Sequence, residues 1–359
     1  MNKITDGKFT FIETGEMPRD RVKLGWKEEE KPGFVVKYNS GLLTSINEAD
    51  VVIFGAAPYS LIKERILDDK LTFVYSERIF KTNFSWIKKL YYTWFYTKRY
   101  PRKKKVFLLS ASAFSYVDYY TLHTMKNKAY KWGYFPAVKQ YDDIKKIVDN
   151  KTEASILWVG RLINLKHPEL SLRVAEKLKN DGYKFVLDII GNGEMEENLK
   201  DLAEEKGLSG CVNFLGSMGP NEVREHMEKA QIFLFTSDFN EGWGAVLNES
   251  MNSACAVVAS HAIGSVPFLI KDGQNGIIYK NEDDEDLYKK VKNLLDHPEK
   301  CKGLGTNAYL TLRDCWNAGV ATKRLIELVD DIQKEGKSDR FKDGPCSKAK
   351  IVRNNWYKK

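Results

Sequence analysis

The stretch NEGWGAVLNES, residues 240–250, carries two carboxylates, Glu241 and Glu249, on either side of the triplet Gly242-Trp243-Gly244. Carboxylates are hydrogen-bond acceptors for sugar hydroxyls, and glycines leave room for a backbone to come close to a ligand. If a helix begins near Gly244, Glu249 lies roughly 7 Å along it, at about 1.5 Å per residue. The unpaired amides that open such a helix attract an anion. The arrangement suits a long ligand with hydroxyls at both ends and an anionic middle, which is the layout of a nucleotide sugar: hexose, diphosphate, ribose. Two further stretches carry related chemistry. In WVGRLINLKHP (158–168), Gly160 is followed by Arg161 and Lys166, a planar fork and a point charge suited to a diphosphate, although a basic pair on a loop is by itself a common solvated surface. In IIGNGEMEENL (189–199), the turn Gly191-Asn192-Gly193 lets a base or ribose approach the backbone. It is not a dinucleotide fingerprint, because Glu196 stands where the third glycine belongs.

Each of these stretches follows an apolar run and precedes a helical pattern. From residue 153 the chain reads SILWVGR, KFVLDIIG, VNFLGS, IFLFTS, CAVVAS and GIIY as strands, with helices such as HPELSLRVAEKLKND and NEVREHMEKA between them. Short apolar runs with little charge are the mark of parallel strands buried on both faces. The first half alternates in the same way, with FTFIET, FVVKY, DVVIFGA, LTFVYS and KVFLLSAS as strands. Two such series predict an α/β protein with two Rossmann-like domains of parallel sheet, over 1–137 and 153–325. A linker is expected at 138–152. The charged segment 326–359 either frays or packs back on the first domain.

The 359 residues hold 57 Lys and Arg against 49 Asp and Glu. The excess lies in residues 1–150, where 27 basic residues face 17 acidic ones, for +10; the remainder has 30 against 32, for −2. The five cysteines are scattered, without the spacing of a zinc site, and read as thiols in a reducing compartment. No run approaches the roughly 18 apolar residues of a spanning helix, and the first residues lack the apolar core of a signal peptide, so a cytoplasmic location is expected. Asp284-Glu285-Asp286, in NEDDEDL, is read as a solvated turn and not as a metal ligand set. The five histidines, His123, His167, His226, His261 and His297, are read as structural or solvated.

The combination of GRLINLKHP, IIGNGEMEENL, VNFLGSM, the Glu-x7-Glu run EGWGAVLNE and GSVPFLIKDGQNGIIY resembles the retaining glycosyltransferases of family 4 over 153–290, and does so more weakly before that. The resemblance implies the GT-B fold, with two facing Rossmann-like domains, and transfer of a sugar from a nucleoside-diphosphate sugar to a hydroxyl of a cell-surface glycan or lipid-linked acceptor. It implies that Arg161 and Lys166 hold the donor diphosphate and that Glu241 faces the donor sugar. The amides of Gly242, Trp243 and Gly244 would line sugar and phosphate, with Glu249 on the ribose. No cofactor or metal is implied. The chain departs from the pattern twice. LTFVYSERIF offers Ser76, Glu77 and Arg78 on the acceptor side, where many relatives carry a His-Glu pair, and FTFIET enters at what would be the second strand. A non-catalytic partner protein and a nucleotide-sugar epimerase are the rival readings; donor hydrolysis or transfer by the purified chain separates enzyme from scaffold.

The segment WIKKLYYTWFYTKRYPRKKKV (86–106) interleaves eight Lys and Arg with aromatics. It is either a helix whose aromatic face, Trp94 included, packs inside while its lysines are solvated, or a contact for an anionic membrane surface through Lys103, Lys104 and Lys105. Nucleic acid is the least favoured partner.

Overall fold

The computed structural model describes residues 1–16, 31–81 and 85–357. The chain forms two compact units, Met1–Gly133 with Ala318–Arg353, and Tyr134–Asn317 with Asn354–Lys359. These bounds differ from the expected linker at 138–152 and domain end at 325. The reason lies in the side chains that follow Gly133. Tyr134 packs on Trp243, Phe135 stacks on Trp316, and the backbone of Lys139 exchanges two hydrogen bonds with the Asn252 side chain. A polar stretch is thereby held as part of the second unit. The helix Ala318–Glu335 and the chain up to Arg353 belong to the first.

In the first unit, β1 (Phe11–Glu13) and β2 (Val35–Lys37) pair in parallel as a sheet of their own. A parallel sheet of four follows: β3 (Val52–Phe54), β4 (Thr72–Ser76), β5 (Val106–Ser110) and β6 (Ala129–Lys131), in that spatial order. All five residues of β5 are buried, as its apolar sequence requires at the centre of a sheet. FTFIET therefore does not join the main sheet. β1 and β2 are three residues each and only partly covered, so they lack the two apolar faces that a central strand must bury. β6 was not evident in the sequence. It is a short edge strand completed from far along the chain, since the Cys346 amide donates to the Lys131 carbonyl and the Ala349 amide to that of Ala129. Arg65 is fully buried and donates to the carbonyls of Ile46, Asn47, Ala49, Asp50 and Leu71, which fixes the turns around β3 and β4.

The aromatic segment forms the helix Trp86–Arg99, capped by the Ser85 hydroxyl. Its orientation is the reverse of the inward-packed reading: Trp94 is exposed, together with Trp86, Ile87, Leu90 and Tyr91. Tyr96 is the side that seats, with its ring edge-on to Tyr119 and against Tyr100. Of the lysines expected to face lipid, Lys104 is occupied, donating to the Leu67 carbonyl at 2.6 Å, while Lys103 and Lys105 are exposed. Among the described residues no helix is long and apolar enough to cross a membrane.

The second unit contains β7 (Thr152–Val159), β8 (Val186–Ile190), β9 (Val212–Gly216), β10 (Ala230–Phe235), β11 (Ala256–Ser260) and β12 (Ile277–Tyr279). All pair in parallel in the order β12-β11-β10-β7-β8-β9. Counted from β7 this is 6-5-4-1-2-3, the doubly wound order, and it reverses between β7 and β10. In open parallel sheets the carboxyl edge at such a reversal is where ligands bind. At the other edge the buried ammonium of Lys151 donates to the carbonyls of Met227, Ala230 and Ser253, tying together the ends of two helices. The NEDDEDL run corrects another reading. It is not a turn: Asp283 caps the helix Asp284–Leu295 by accepting from the Asp286 amide, and the acidic residues occupy its first turn, where the helix dipole favours them.

Candidate functional site

The carboxyl ends of β7 and β10 bring together residues 75 apart in sequence. Trp158 donates its indole N–H to Thr236 Oγ1, and that hydroxyl donates to the Lys166 carbonyl at 2.6 Å. The Asp238 amide bonds the Leu165 carbonyl at 3.0 Å. The loop bearing Lys166 is thus sewn to the loop bearing Glu241. The Lys166 ammonium forms an ion pair with the Glu241 carboxylate, which also accepts from Ser237 Oγ at 3.1 Å. Both side chains are mostly shielded from solvent, so this pair is worth more than a surface one. The Gly264 amide donates to the Glu241 carbonyl, which ties in the loop after β11. Arg161, by contrast, is exposed and has no ion-pair partner among the described residues.

Glu249 lies in the first turn of the helix Val246–Asn252, whose cap, Ala245, has no side chain to offer the opening amides. The carboxyl of Glu249 is partly buried; desolvation raises its pKa, and Arg224 only partly offsets this. A desolvated carboxylate gains from any hydroxyl donor that reaches it.

The triplet between the two carboxylates splits its roles. Gly244 has φ of +77°, and a Cβ there would stand 2.3 Å from the Phe235 ring, so only glycine fits. Trp243 does not face the site: its indole is fully buried against Phe268 and Trp316 and donates to Asn248 Oδ1 at 2.8 Å, which leaves only its backbone for a ligand. The Gly-Asn-Gly turn needs its glycines for packing within the protein. A Cβ on Gly191 would come within 1.8 Å of the Gly160 carbonyl oxygen, and one on Gly193 within 2.3 Å of that of Leu162. The close approach these glycines permit is to the β7 loop of the chain itself. Asn192 is exposed, and its carbonyl accepts from the Leu162 amide.

Two groups beside the site had no clear signal in sequence. His167, in a left-handed conformation, places Nδ1 2.8 Å from Glu169 and Nε2 3.5 Å from Asp238. These carboxylates, Asp238 foremost, raise the imidazole to about 10. Asp238 ends below its ordinary value because His167 and the Asn240 amide outweigh its burial. The only hint was the adjacency of His167 to Lys166 and of Asp238 to the end of a strand. Because the folded pKa lies above the unfolded value, the stabilisation from His167 is complete below about pH 6.5 and is lost as pH rises toward its folded value. Replacing His167 with Gln should therefore cost roughly 1.5–3 kcal/mol near pH 6. The cost should shrink markedly near pH 10, as read by urea unfolding at both pH values; a pH-independent cost would mean that the charge is immaterial.

In the first unit, Ser76 donates its hydroxyl to the Glu77 carbonyl, and the Glu77 carboxylate pairs with Lys81. Arg78 is buried over Phe114 with Nε 3.7 Å from Asp118, whose other contacts are the amides of Ile79 and Phe80. Burial pushes Asp118 up to about 6, and the amides and Arg78 restrain it. Arg78 thus organises the loop after β4.

Comparison with known proteins points the same way as the second unit's geometry. Residues 139–311 match the family of glycosyl transferases group 1. An uncharacterized glycosyltransferase of Haemophilus influenzae is 32% identical over 152 residues, covering 42% of this chain and 41% of that protein. The Campylobacter jejuni N-acetylgalactosamine-N,N'-diacetylbacillosaminyl-diphospho-undecaprenol 4-alpha-N-acetylgalactosaminyltransferase is 32% identical over 141 residues, 39% of this chain and 37% of that one. The matched part thus spans about two-fifths of these curated relatives. Among solved structures, Anabaena HepE in complex with UDP superposes with a TM-score of 0.64 at 14% identity, covering 83% of this chain and 85% of that chain. The fold is GT-B, α/β with parallel sheets in two Rossmann-like domains. The similarity to the glycosyl transferases group 1, over residues 139–311, falls wholly within the second unit.

Proposed function

We propose that the protein is a retaining glycosyltransferase that moves a sugar from a nucleoside-diphosphate sugar to a hydroxyl of a glycan or lipid-linked acceptor. The observation that carries the reading is the meeting of Lys166 and Glu241 at the strand-order reversal, the place where an open parallel sheet binds ligands. The C. jejuni relative, named for transfer to a diphospho-undecaprenol-linked sugar, supports the acceptor class, and the UDP bound to HepE supports the donor class.

In this reading the bond from the sugar's anomeric carbon to the phosphate oxygen breaks, the acceptor oxygen forms the new bond, and the acceptor's proton is released. Charge grows on the departing diphosphate. Arg161 and Lys166 stabilise it as fixed cations, together with the amides around Gly244, and no metal is called on. Glu249 takes the ribose hydroxyls. Glu241 faces the sugar once Lys166 turns to phosphate.

Calorimetric titration tests the clamp. Lys166→Ala or Arg161→Ala should weaken a nucleoside diphosphate by about tenfold or more, the loss of a charge-assisted bond, while the matching nucleoside binds nearly as before. Equal weakening of both ligands would remove the diphosphate role.

A further inference from the structure

The helix Trp86–Arg99 leaves an apolar stripe uncovered: Trp86, Ile87, Leu90, Tyr91 and Trp94 are between 55% and 71% exposed. At 3.6 residues per turn these five fall within about 140° of the circumference. The stripe is opposite the side that seats on the unit through Tyr96. The helix contains Lys88, Lys89, Lys98 and Arg99 and no acidic residue. Lys88, Lys89 and Lys98 are exposed, and the Lys98 ammonium lies 4.4 Å from the centre of the Trp94 ring. We infer that this helix lies in the interfacial plane of a membrane that contains acidic lipid, with the stripe inserted among the acyl ends and the basic residues on the phosphates.

Three observations select that occupant. Fourteen residues at about 1.5 Å each give a rod of roughly 21 Å, too short to span a hydrocarbon layer of about 30 Å but suited to lying along it. Tryptophan and tyrosine prefer the headgroup level, where an apolar ring and a polar edge are both satisfied. A second copy is disfavoured by charge. A two-fold interface would set the stripe against itself and bring the basic residues of both helices together with no acidic partner on either. The inference does not depend on the transferase reading. It also replaces Lys103–Lys105 as the principal contact, since Lys104 is bound to the Leu67 carbonyl.

The test is co-sedimentation of the full chain with vesicles of phosphatidylcholine mixed with phosphatidylglycerol and with vesicles of phosphatidylcholine alone. The wild type should bind the acidic vesicles at least tenfold more tightly than the neutral ones, and the binding should weaken with salt, whose screening length is near 8 Å at about 0.15 M. Replacing Leu90 and Trp94 together with Ser should lower acidic-vesicle binding by at least tenfold, with the unfolding midpoint and nucleoside-diphosphate affinity unchanged. Changing Lys88 and Lys89 to Gln should cost about fivefold per charge. The inference is overturned if the wild type binds neither vesicle, if the double variant binds as well as wild type, or if the wild type instead self-associates and the double variant does not.

Discussion

Glu241→Gln should lose transfer while keeping, or even tightening, its hold on a nucleoside diphosphate. The structure makes this combination specific. In the free protein the Lys166 ammonium is neutralised by the Glu241 carboxylate, with Ser237 as the second donor to it. A diphosphate arriving at the site must take Lys166 from that carboxylate. The neutral amide of Gln competes more weakly, so affinity should hold or rise, by up to about fivefold. Transfer, in contrast, should fall by about 10²–10³, the cost of removing one preorganised electrostatic group from a reacting centre. The two readouts need the same protein sample: calorimetry for the diphosphate, and release of free nucleoside diphosphate from a donor-sugar panel for turnover. A variant that transfers as fast as wild type would end the assignment of Glu241 to the donor sugar. One that loses both binding and turnover, with its unfolding midpoint unchanged, would show that the carboxylate itself contacts the nucleotide.

The strands of the second unit were legible because burial on both faces writes itself into composition. Every residue of β10 and β11 is buried, and both read as apolar runs. The positions of Arg161, Lys166 and Glu241 were legible for a related reason: each lies in the loop that follows such a run, at a strand-to-helix corner. What failed to show were facts set by partners distant in sequence. β6 is three residues completed by the chain near 346–349. The pairing of β1 with β2 instead of the main sheet is a choice between partners that local alternation does not record. The burial of the Trp243 ring against Phe268 and Trp316 is another such fact, since both partners lie well downstream. In the Trp86–Arg99 helix the spacing announces an amphipathic rod and leaves open which face the protein keeps.

The glycines after β8 sharpen the same point and set the largest stability effect. Gly191 has φ of +141°, where side chains are strained, and its missing Cβ makes room for the Gly160 carbonyl at a distance of 1.8 Å that no real carbon tolerates. The obstacle is backbone, tied on both sides: the Gly160 amide donates to Ile190 and the Gly191 amide to Gly216. Neither loop yields without breaking a sheet-edge hydrogen bond. Gly191→Ala should therefore cost roughly 2–6 kcal/mol, combining about 1–3 for the backbone conformation and about 1–3 for overpacking. Because the displaced loop carries Arg161, donor binding should weaken as a consequence. Asn192→Ala provides the contrast. Its side chain is exposed and its backbone carbonyl keeps the bond from Leu162, so stability should change by less than about 0.5 kcal/mol. Any loss of nucleotide affinity in that variant would then report direct contact between the turn and the ligand. Urea unfolding of both variants, beside nucleoside-diphosphate titration, separates the two roles. If Gly191→Ala unfolds with the wild-type midpoint, the two loops are not packed as described.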